Sequence, residues 1–264
     1  MTHPVPRRFG AVNWLGLWTL YEKEVWRFLK VYAQTILAPL ITTHVFLAIF
    51  VVALGRAVEQ VGGVPFTEFL APGLVMMAMA QNAFANSTST IILAKIQGNI
   101  IDVLMPPLSP FELAFGYVAA GLTRGLVVGV TTGVVMFAIV GMAPSSPAIM
   151  IYFAISAPLL LSLIGTLTGL WAEKFDHTAA ITNFVVTPLA FLSGTFYSIE
   201  RLPPAFQWIA HFNPFFYMID GFRFAFIGHS DAPVWIGMVV LFAANLVLWI
   251  LCWYLFKVGY KIKA

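Results

Sequence analysis

The chain has 264 residues, of which 60% are hydrophobic, 15% aromatic and only 9% charged, with a formal net charge of +3 and a mean hydropathy of +0.89. Soluble domains carry about 25% charged residues, so a water-soluble fold of this size could not cover its surface, and the composition is that of an integral membrane protein. The single cysteine, Cys252, lies in an apolar run, which excludes an intrachain disulfide.

Arg7 and Arg8 precede the mildly apolar run FGAVNWLGLWTLY. That run is too polar for a signal core, meets Glu22, Lys23 and Glu24, and has no A-x-A-like site after it, so it reads as mature protein. Residues about 13–33 predict an interfacial helix: Trp14, Leu17, Trp18, Tyr21, Val25, Phe28, Leu29 and Tyr32 recur at helical spacing, with Glu22, Lys23, Arg27 and Lys30 between them. Such a helix is either an anchor alone or an anchor whose polar face also meets a cytoplasmic partner.

Six stretches then reach the length of a spanning helix: about 34–54, 69–93, 113–141, 148–171, 179–198 and 233–256. The alternating pattern of a membrane barrel is absent, and the connections are too short for a second domain. The expected fold is an all-α polytopic membrane protein, a single transmembrane domain over residues 1–264. In the first span, His44 reads as a bonded packing residue rather than a proton relay. In the second, Asn82, Asn86 and Ser89 share one face, flanked by Gln81 and Thr90. Amides in hydrocarbon need partners, so this stripe either bonds other helices or walls a wet pathway.

After the second span comes GNIIDVLMPPLSPFELAFG, residues 98–116. Ile96, Ile100, Val103 and Leu104 make one apolar face of a short helix over 96–105, with Lys95, Asn99 and Asp102 on another. Pro106 and Pro107 stop it. Ser109, Pro110 and Glu112 then form a capping-box signature that starts the third span. The pattern suits either an amphipathic connector or a rigid piece that transmits a push.

Arg124 lies near the middle of the third span and needs a partner: the amide stripe, carbonyls or a substrate anion. Gly121, Gly125, Gly129 and Gly133, with Gly165 and Gly169 in the fourth span, predict close helix packing within the subunit. Beyond Ser193 and Gly194, residues 199–229 are aromatic and broken by Pro203, Pro204 and Pro214, which predicts two short re-entrant helices, the second capped by Asn213. With six spans, Arg7, Arg8, Lys23, Arg27, Lys30, Lys95, Lys174, Lys257, Lys261 and Lys263 fall on the side of both termini, against Arg56, Arg201 and Arg223 opposite. The bias predicts cytoplasmic termini.

The runs GNIIDVLMPPLSPFELAFGYVAAGLTRGL, TPLAFLSGTFYSIERLPPAFQWIAHFNPFFYMIDGFRFAFIG, YEKEVWRFLKVYAQTILAPLIT and FLAPGLVMMAMAQNAFANSTST resemble, in order and spacing, the ABC-2 type permease family, in its YadH-like bacterial inner-membrane branch. The resemblance implies that 96–105 is a coupling helix docking on a separate ATPase, with Asn99, Asp102, Leu104 and Met105 near the contact. The loop at 173–180, with Glu173 and Asp176, would be a second contact. It implies an outer gate around Ser193, Gly194, Pro203, Pro204, Asn213, Pro214 and Arg223. It further implies a pair of permeases, likewise two ATPases that bind the ATP and Mg, and location in the bacterial inner membrane.

The residues themselves agree that this chain is not the ATP-binding one, since no Gly-x4-Gly-Lys-[Ser/Thr] occurs. No zinc-protease motif, Cys–His cluster or G-x-S-x-G is present, so neither metal, cofactor nor catalytic residue is expected, and nothing points to nucleic acid. The expected function is the membrane subunit of an ATP-driven exporter of an amphipathic, glycan, lipid or drug-like substrate. Gln81, Asn82, Asn86, Ser89 and Arg124 would line its pathway. The rivals are a gradient-driven secondary transporter, which should show internal repeats and intramembrane acids, and a membrane scaffold or enzyme.

Overall fold

A computed structural model describes residues 10, 12–55, 58–199 and 202–261. Arg7, Arg8, Arg56, Arg201 and Lys263, which entered the charge bias, lie outside those residues. Helix α1, Trp14–Leu29, starts at Asn13, whose side chain accepts from the Gly16 N–H at 3.0 Å. It ends earlier than the expected 13–33, because Lys30 and Val31 form a turn before a wide π turn, Ala33–Leu37, that runs into α2, Ala38–Leu54. The cause is Pro39: it has no N–H to donate and its ring presses on the carbonyl one turn back, which a π turn relieves. A two-strand hairpin follows, β1 Gln60–Val61 with β2 Val64–Pro65, closed by Gly62 and Gly63 at φ +61° and +80°. Both turn residues need the left-handed region, which is why Gly-Gly stands there.

Helix α3, Phe66–Ile96, is 31 residues long. Gly98, at φ +74°, separates it from α4, Ile100–Leu104. The expected helix over 96–105 is therefore corrected to five residues: Ile96 ends α3 and is exposed, and of the proposed apolar face only Ile100 and Val103 are buried. Helix α5, Pro110–Val140, begins with the expected capping box of Ser109 and Glu112 and ends at Gly141. Helix α6, Pro147–Trp171, is followed by α7, Phe175–Ile181, a second π turn over Thr182–Val186 ahead of Pro188, and α8, Thr187–Phe191. The expected fifth span over 179–198 is shifted toward the N-terminus. Its helix stops at Phe191, where Ser193 Oγ bonds the Ala190 carbonyl and Gly194 turns the chain at φ +74°. Helix α9, Pro204–His211, α10, Pro214–Ile227, and α11, Val234–Val258, complete the chain.

Among the described residues, four helical runs are long and apolar enough to cross a membrane: Ala33–Leu54, Pro110–Val140, Pro147–Trp171 and Val234–Val258. Helix α3 matches α5 in length, but its polar run dilutes its hydropathy. It is the centre of the bundle, packed on α5 and α6 and, toward the hairpin, on α10. Phe69, Leu70 and Met76 meet Phe153, Leu160 and Phe222 in one core, while Leu20, Ile91, Ile100, Val103, Leu113, Tyr117 and Phe256 form a second at the α4 end.

Helices that share an apolar solvent gain little from burying more apolar surface, so small residues and interhelical hydrogen bonds hold them together. Ser162 does this at a triple junction, meeting Ser87 of α3 at 2.7 Å and donating to the Val118 carbonyl of α5 at 2.8 Å. Thr88 donates to the Gly165 carbonyl at 3.1 Å. The predicted glycine stripe packs inside the subunit, as expected: a Cβ on Gly121 would run into both serine hydroxyls, and one on Gly165 would come within 2.5 Å of the Phe84 carbonyl. A Cβ on Gly133 meets only Val75 and the flexible ring of Phe137, at 3.3 Å or more. Gly121→Val is expected to cost about 1–3 kcal/mol of stability, read by thermal unfolding in detergent, while Gly133→Ala leaves the midpoint nearly unchanged.

Candidate coupling surface and polar pathway

One end of the bundle gathers the N-terminus of α5 and the C-termini of α3, α6 and α11. The Glu112 carboxylate accepts from the backbone N–H of Ser109 and from that of Asn13, and Asn13 Nδ2 reaches the Pro107 carbonyl at 3.3 Å. One side chain thereby closes the α5 cap and ties the start of α1 to it. Between these anchors the α4 turn is held from beneath by Ile100 and Val103. It presents Asn99, Ile101, Asp102 and Met105 outward, Met105 at 78% exposure, with Leu104 half-buried. Asn99 stands at the α4 N-cap position without bonding it; its Nδ2 meets the Gln97 side chain.

Of the second expected contact, Glu173 and Asp176 are both exposed, Asp176 in the first turn of α7. The Lys261 ammonium bonds Glu173 at 2.7 Å and holds its carboxyl below the usual range. Since the folded pKa is the lower one, this contact is present at neutral pH and is lost only as pH falls below the usual carboxylate range.

The polar stripe of α3 divides into two roles. Asn82 and Asn86 are engaged by arginines: Arg124 Nη2 donates to Asn82 Oδ1 at 2.9 Å, and Arg27 Nη2 donates to Asn86 Oδ1 at 2.9 Å and to its carbonyl at 3.2 Å. Of the partners weighed for Arg124, the amide is the one observed. Gln81 and Ser89 instead line open space. Both border a cleft of about 370 Å³ between α3 and the α7–α8 run. Gln81 and Asn82 border a second cleft, of about 300 Å³, between α2, α3 and residues 191–196.

Arg27, one of the charges expected between the apolar positions of the interfacial helix, reaches instead to α3. Its Nε pairs with Glu24 at 2.9 Å, and Glu24, 3% exposed, also accepts from Thr90. The face of α1 against the bundle is Leu17, Leu20, Glu24 and Phe28, while Trp14, Trp18 and Trp26 point away. Glu24 stands seven residues after Leu17 and four before Phe28, which was the available signal of an acid on a packed face. His44 donates through Nδ1–H to the Leu40 carbonyl, 2.6 Å away, as a packing residue does.

At the other end, Asn213 caps α10 by accepting from the Phe215 N–H and donates to the Leu189 carbonyl at 2.8 Å; Pro214 follows at the first helical position. Pro203 and Pro204 start α9. Arg223, placed from sequence among the outer surface charges, is instead enclosed: it donates to the carbonyls of Phe69 at 3.1 Å, Gly194 at 2.7 Å and Thr195 at 3.4 Å, with its guanidinium 3.7 Å over the Phe69 ring. Asp220, unnoticed in the sequence, accepts from the N–H groups of Asp231 and Ala232, and Asp231 in turn accepts from Ser198 and the Ile199 N–H. Arg223 thus joins α10, α3 and the 194–195 turn.

A lysine has neither the fork nor the flat face for that site. Arg223→Lys is expected to lower stability by about 2–3 kcal/mol through unpaired carbonyls, measured as a drop in unfolding midpoint in detergent. Arg223→Met should fall further.

A family model described as ABC-2 type transporter matches residues 16–227. The chain is 34% identical over 251 residues to the inner membrane transport permease YadH of Escherichia coli (strain K12), covering 95% of this chain and 98% of that one. It is 27% identical over 238 residues to nodulation protein J of Rhizobium leguminosarum bv. viciae, covering 88% and 89%, and 26% identical over 222 residues to nodulation protein J of Rhizobium meliloti (strain 1021), covering 82% of each. With four-fifths of its length matched by the family and a transport permease similar from end to end, the chain is a membrane transport permease and belongs to the ABC-2 type transporter family.

Proposed function

We propose that this permease is the membrane subunit of an exporter driven by ATP hydrolysis in a separate subunit, and that the α4 turn receives the stroke. The observation that carries the reading is the Glu112 clamp. An exposed turn bearing Asp102 and Met105 is joined without slack to α5 by Pro106, Pro107 and the capping box, and to α1 through Asn13. A push on that turn moves α1 and α5 together rather than being absorbed in a loose loop. Glu173 and Asp176 supply the second contact.

On this reading the chain crosses the inner membrane six times, with α3 and the α7–α8 run as the second and fifth crossings and both termini in the cytoplasm. Lys23, Lys30, Lys95, Lys174, Lys257 and Lys261 then share the cytoplasmic end, in accord with the positive-inside rule. Two copies of the chain pair, and two ATPase subunits dock below them and bind the ATP and Mg. Cargo passes along the clefts bordered by Gln81, Asn82 and Ser89, with Asn86 and Arg124 behind them, and leaves past α9, α10 and the Ser193–Gly194 turn. The mixed lining, amides and hydroxyls beside Phe46, Phe191 and Phe196, suits an amphipathic cargo such as a lipid, glycolipid or drug-like molecule.

The tagged chain, extracted from its native membrane in mild detergent, is expected to bring a P-loop ATPase with it, identified by mass. Asp102→Arg should release that ATPase with no change in unfolding midpoint, because the Asp102 side chain is exposed and, among the described residues, bonds nothing that holds the fold. If no ATPase appears even after gentle cross-linking, the mechanism is wrong and an ion-gradient drive takes its place.

A further inference from the structure

The polar cluster on the cytoplasmic half of α3 is short of acceptors. Arg27 and Arg124 bring two guanidinium groups, and Glu24 is the only carboxylate bonded to either, so two positive charges against one negative leave one positive charge uncompensated among the described residues. The two guanidiniums hold amides one turn apart on the same face of α3, Arg124 on Asn82 and Arg27 on Asn86. The buried side-chain atoms left without a partner here are both donors, Arg124 Nε and Asn86 Nδ2. The side-chain acceptors these groups use are Asn82 Oδ1 for Arg124, Asn86 Oδ1 for Arg27, and Glu24 Oε2 for Arg27 and Thr90, and none of them reaches Arg124 Nε or Asn86 Nδ2.

Position makes the deficit matter. Arg124 is midway along α5, where a charge without a counter-ion is costly. Its partner Asn82 borders the cleft between α2, α3 and residues 191–196. The polar lining there is Gln34, Thr42, Thr43 and Gln81 with Asn82, all neutral, and its apolar wall includes Phe46, Phe191 and Phe196. Among the described residues, no carboxylate lines that space. The cluster therefore combines spare positive charge, spare N–H donors and an adjoining neutral cleft with an aromatic wall.

We propose that the Arg124–Asn82–Asn86–Arg27 face binds the anionic head, a phosphate or carboxylate, of an amphipathic molecule whose apolar part lies along the adjoining cleft. This deepens the transport reading and rests on it for one point only: that the bound molecule is cargo. An anionic head supplies the missing acceptors and the missing charge together, which a neutral glycolipid or a cationic drug does not.

The test uses the purified chain in micelles containing equal phosphatidylglycerol and phosphatidylcholine, with native mass spectrometry counting the lipid retained. Charge-assisted bonds to a guanidinium predict about tenfold preference for phosphatidylglycerol. Arg124→Gln should abolish it. Asn82→Asp should abolish it too, by placing a carboxylate where Arg124 already reaches, with an unfolding midpoint at or above that of the unsubstituted chain; this variant keeps the test decisive if Arg124→Gln does not fold. Lys174→Gln, a charge removed from the exposed loop, should leave the preference intact. Displacement by inorganic phosphate would show that the head alone is recognised, and retention that the chains are needed as well; either upholds the site. Equal retention of the two lipids by the unsubstituted chain, or a preference that survives both Arg124→Gln and Asn82→Asp, overturns it. Once the ATPase is in hand, a transport rate for fluorescent phosphatidylglycerol that Asn82→Asp leaves unchanged while binding is lost would keep the anion site and remove it from the pathway.

Discussion

A helix that carries Gln81, Asn82, Asn86, Ser87, Thr88, Ser89 and Thr90 within three turns cannot face lipid, because hydrocarbon offers no partner for its amides and hydroxyls. That constraint organises the bundle. Helix α3 must be central, its neighbours must bring complementary groups, and each does: Ser162 and the Gly165 carbonyl from α6, Arg124 from α5, and Arg27 and Glu24 from α1. The glycines of α5 and α6 follow from the same demand, since hydroxyl-to-hydroxyl and hydroxyl-to-carbonyl bonds between helices require backbones closer than a Cβ permits.

The two ends of the bundle are held differently. At the α4 end the fastening is by charge: Glu112 on two backbone N–H groups, Lys95 on the end of α6, Lys261 on Glu173. At the hairpin end the charges turn inward. Arg223 gathers carbonyls from two segments, α3 and the 194–195 turn, Asp220 gathers N–H groups from the connection after α10, and Asp231 that of Ile199, so a stretch too broken to form a spanning helix still satisfies its backbone. The first end leaves polar side chains exposed and the second encloses them, which is the asymmetry that the proposed drive from one side of the membrane would require.

Much of this was legible in the residues. The Ser109–Glu112 capping box, the Asn213–Pro214 helix start, the glycine stripe and the need of Arg124 for a partner each follow from local rules, because each depends on residues within a turn or on one unavoidable desolvation cost. Glu24, Arg27 and Arg223 were not legible. Helix α1 has two apolar faces, one of leucine and phenylalanine and one of tryptophan, and periodicity cannot say which meets protein. Arg223 lies in an aromatic run whose packing partners, Phe69 and the 194–195 turn, are distant in sequence. The short extent of α4 and the early end of α8 were missed because Gly98 and Gly194 act through backbone conformation, which hydrophobic spacing does not register.

Lys95 has a mechanical consequence. Its ammonium sits on the carbonyls of Gly169, Leu170 and Ala172, the last ones of α6, so that a side chain of one helix completes the end of another. Sliding α3 by a single turn along α6, about 5.4 Å, would strip all three carbonyls and break the Ser87–Ser162 and Thr88–Gly165 bonds at once. The pair is a strut: it resists shear along its length and can only tilt or rotate as one piece. Helix α2, in a run Ala33–Leu54 that is mostly exposed, has no comparable fastening among the described residues: its side-chain bonds, from Thr42 and His44, stay within the helix. Any stroke delivered at the α4 end therefore travels through the strut undiminished and is spent where the packing is loose, along the seam between α2, α3 and α8 into which both clefts open.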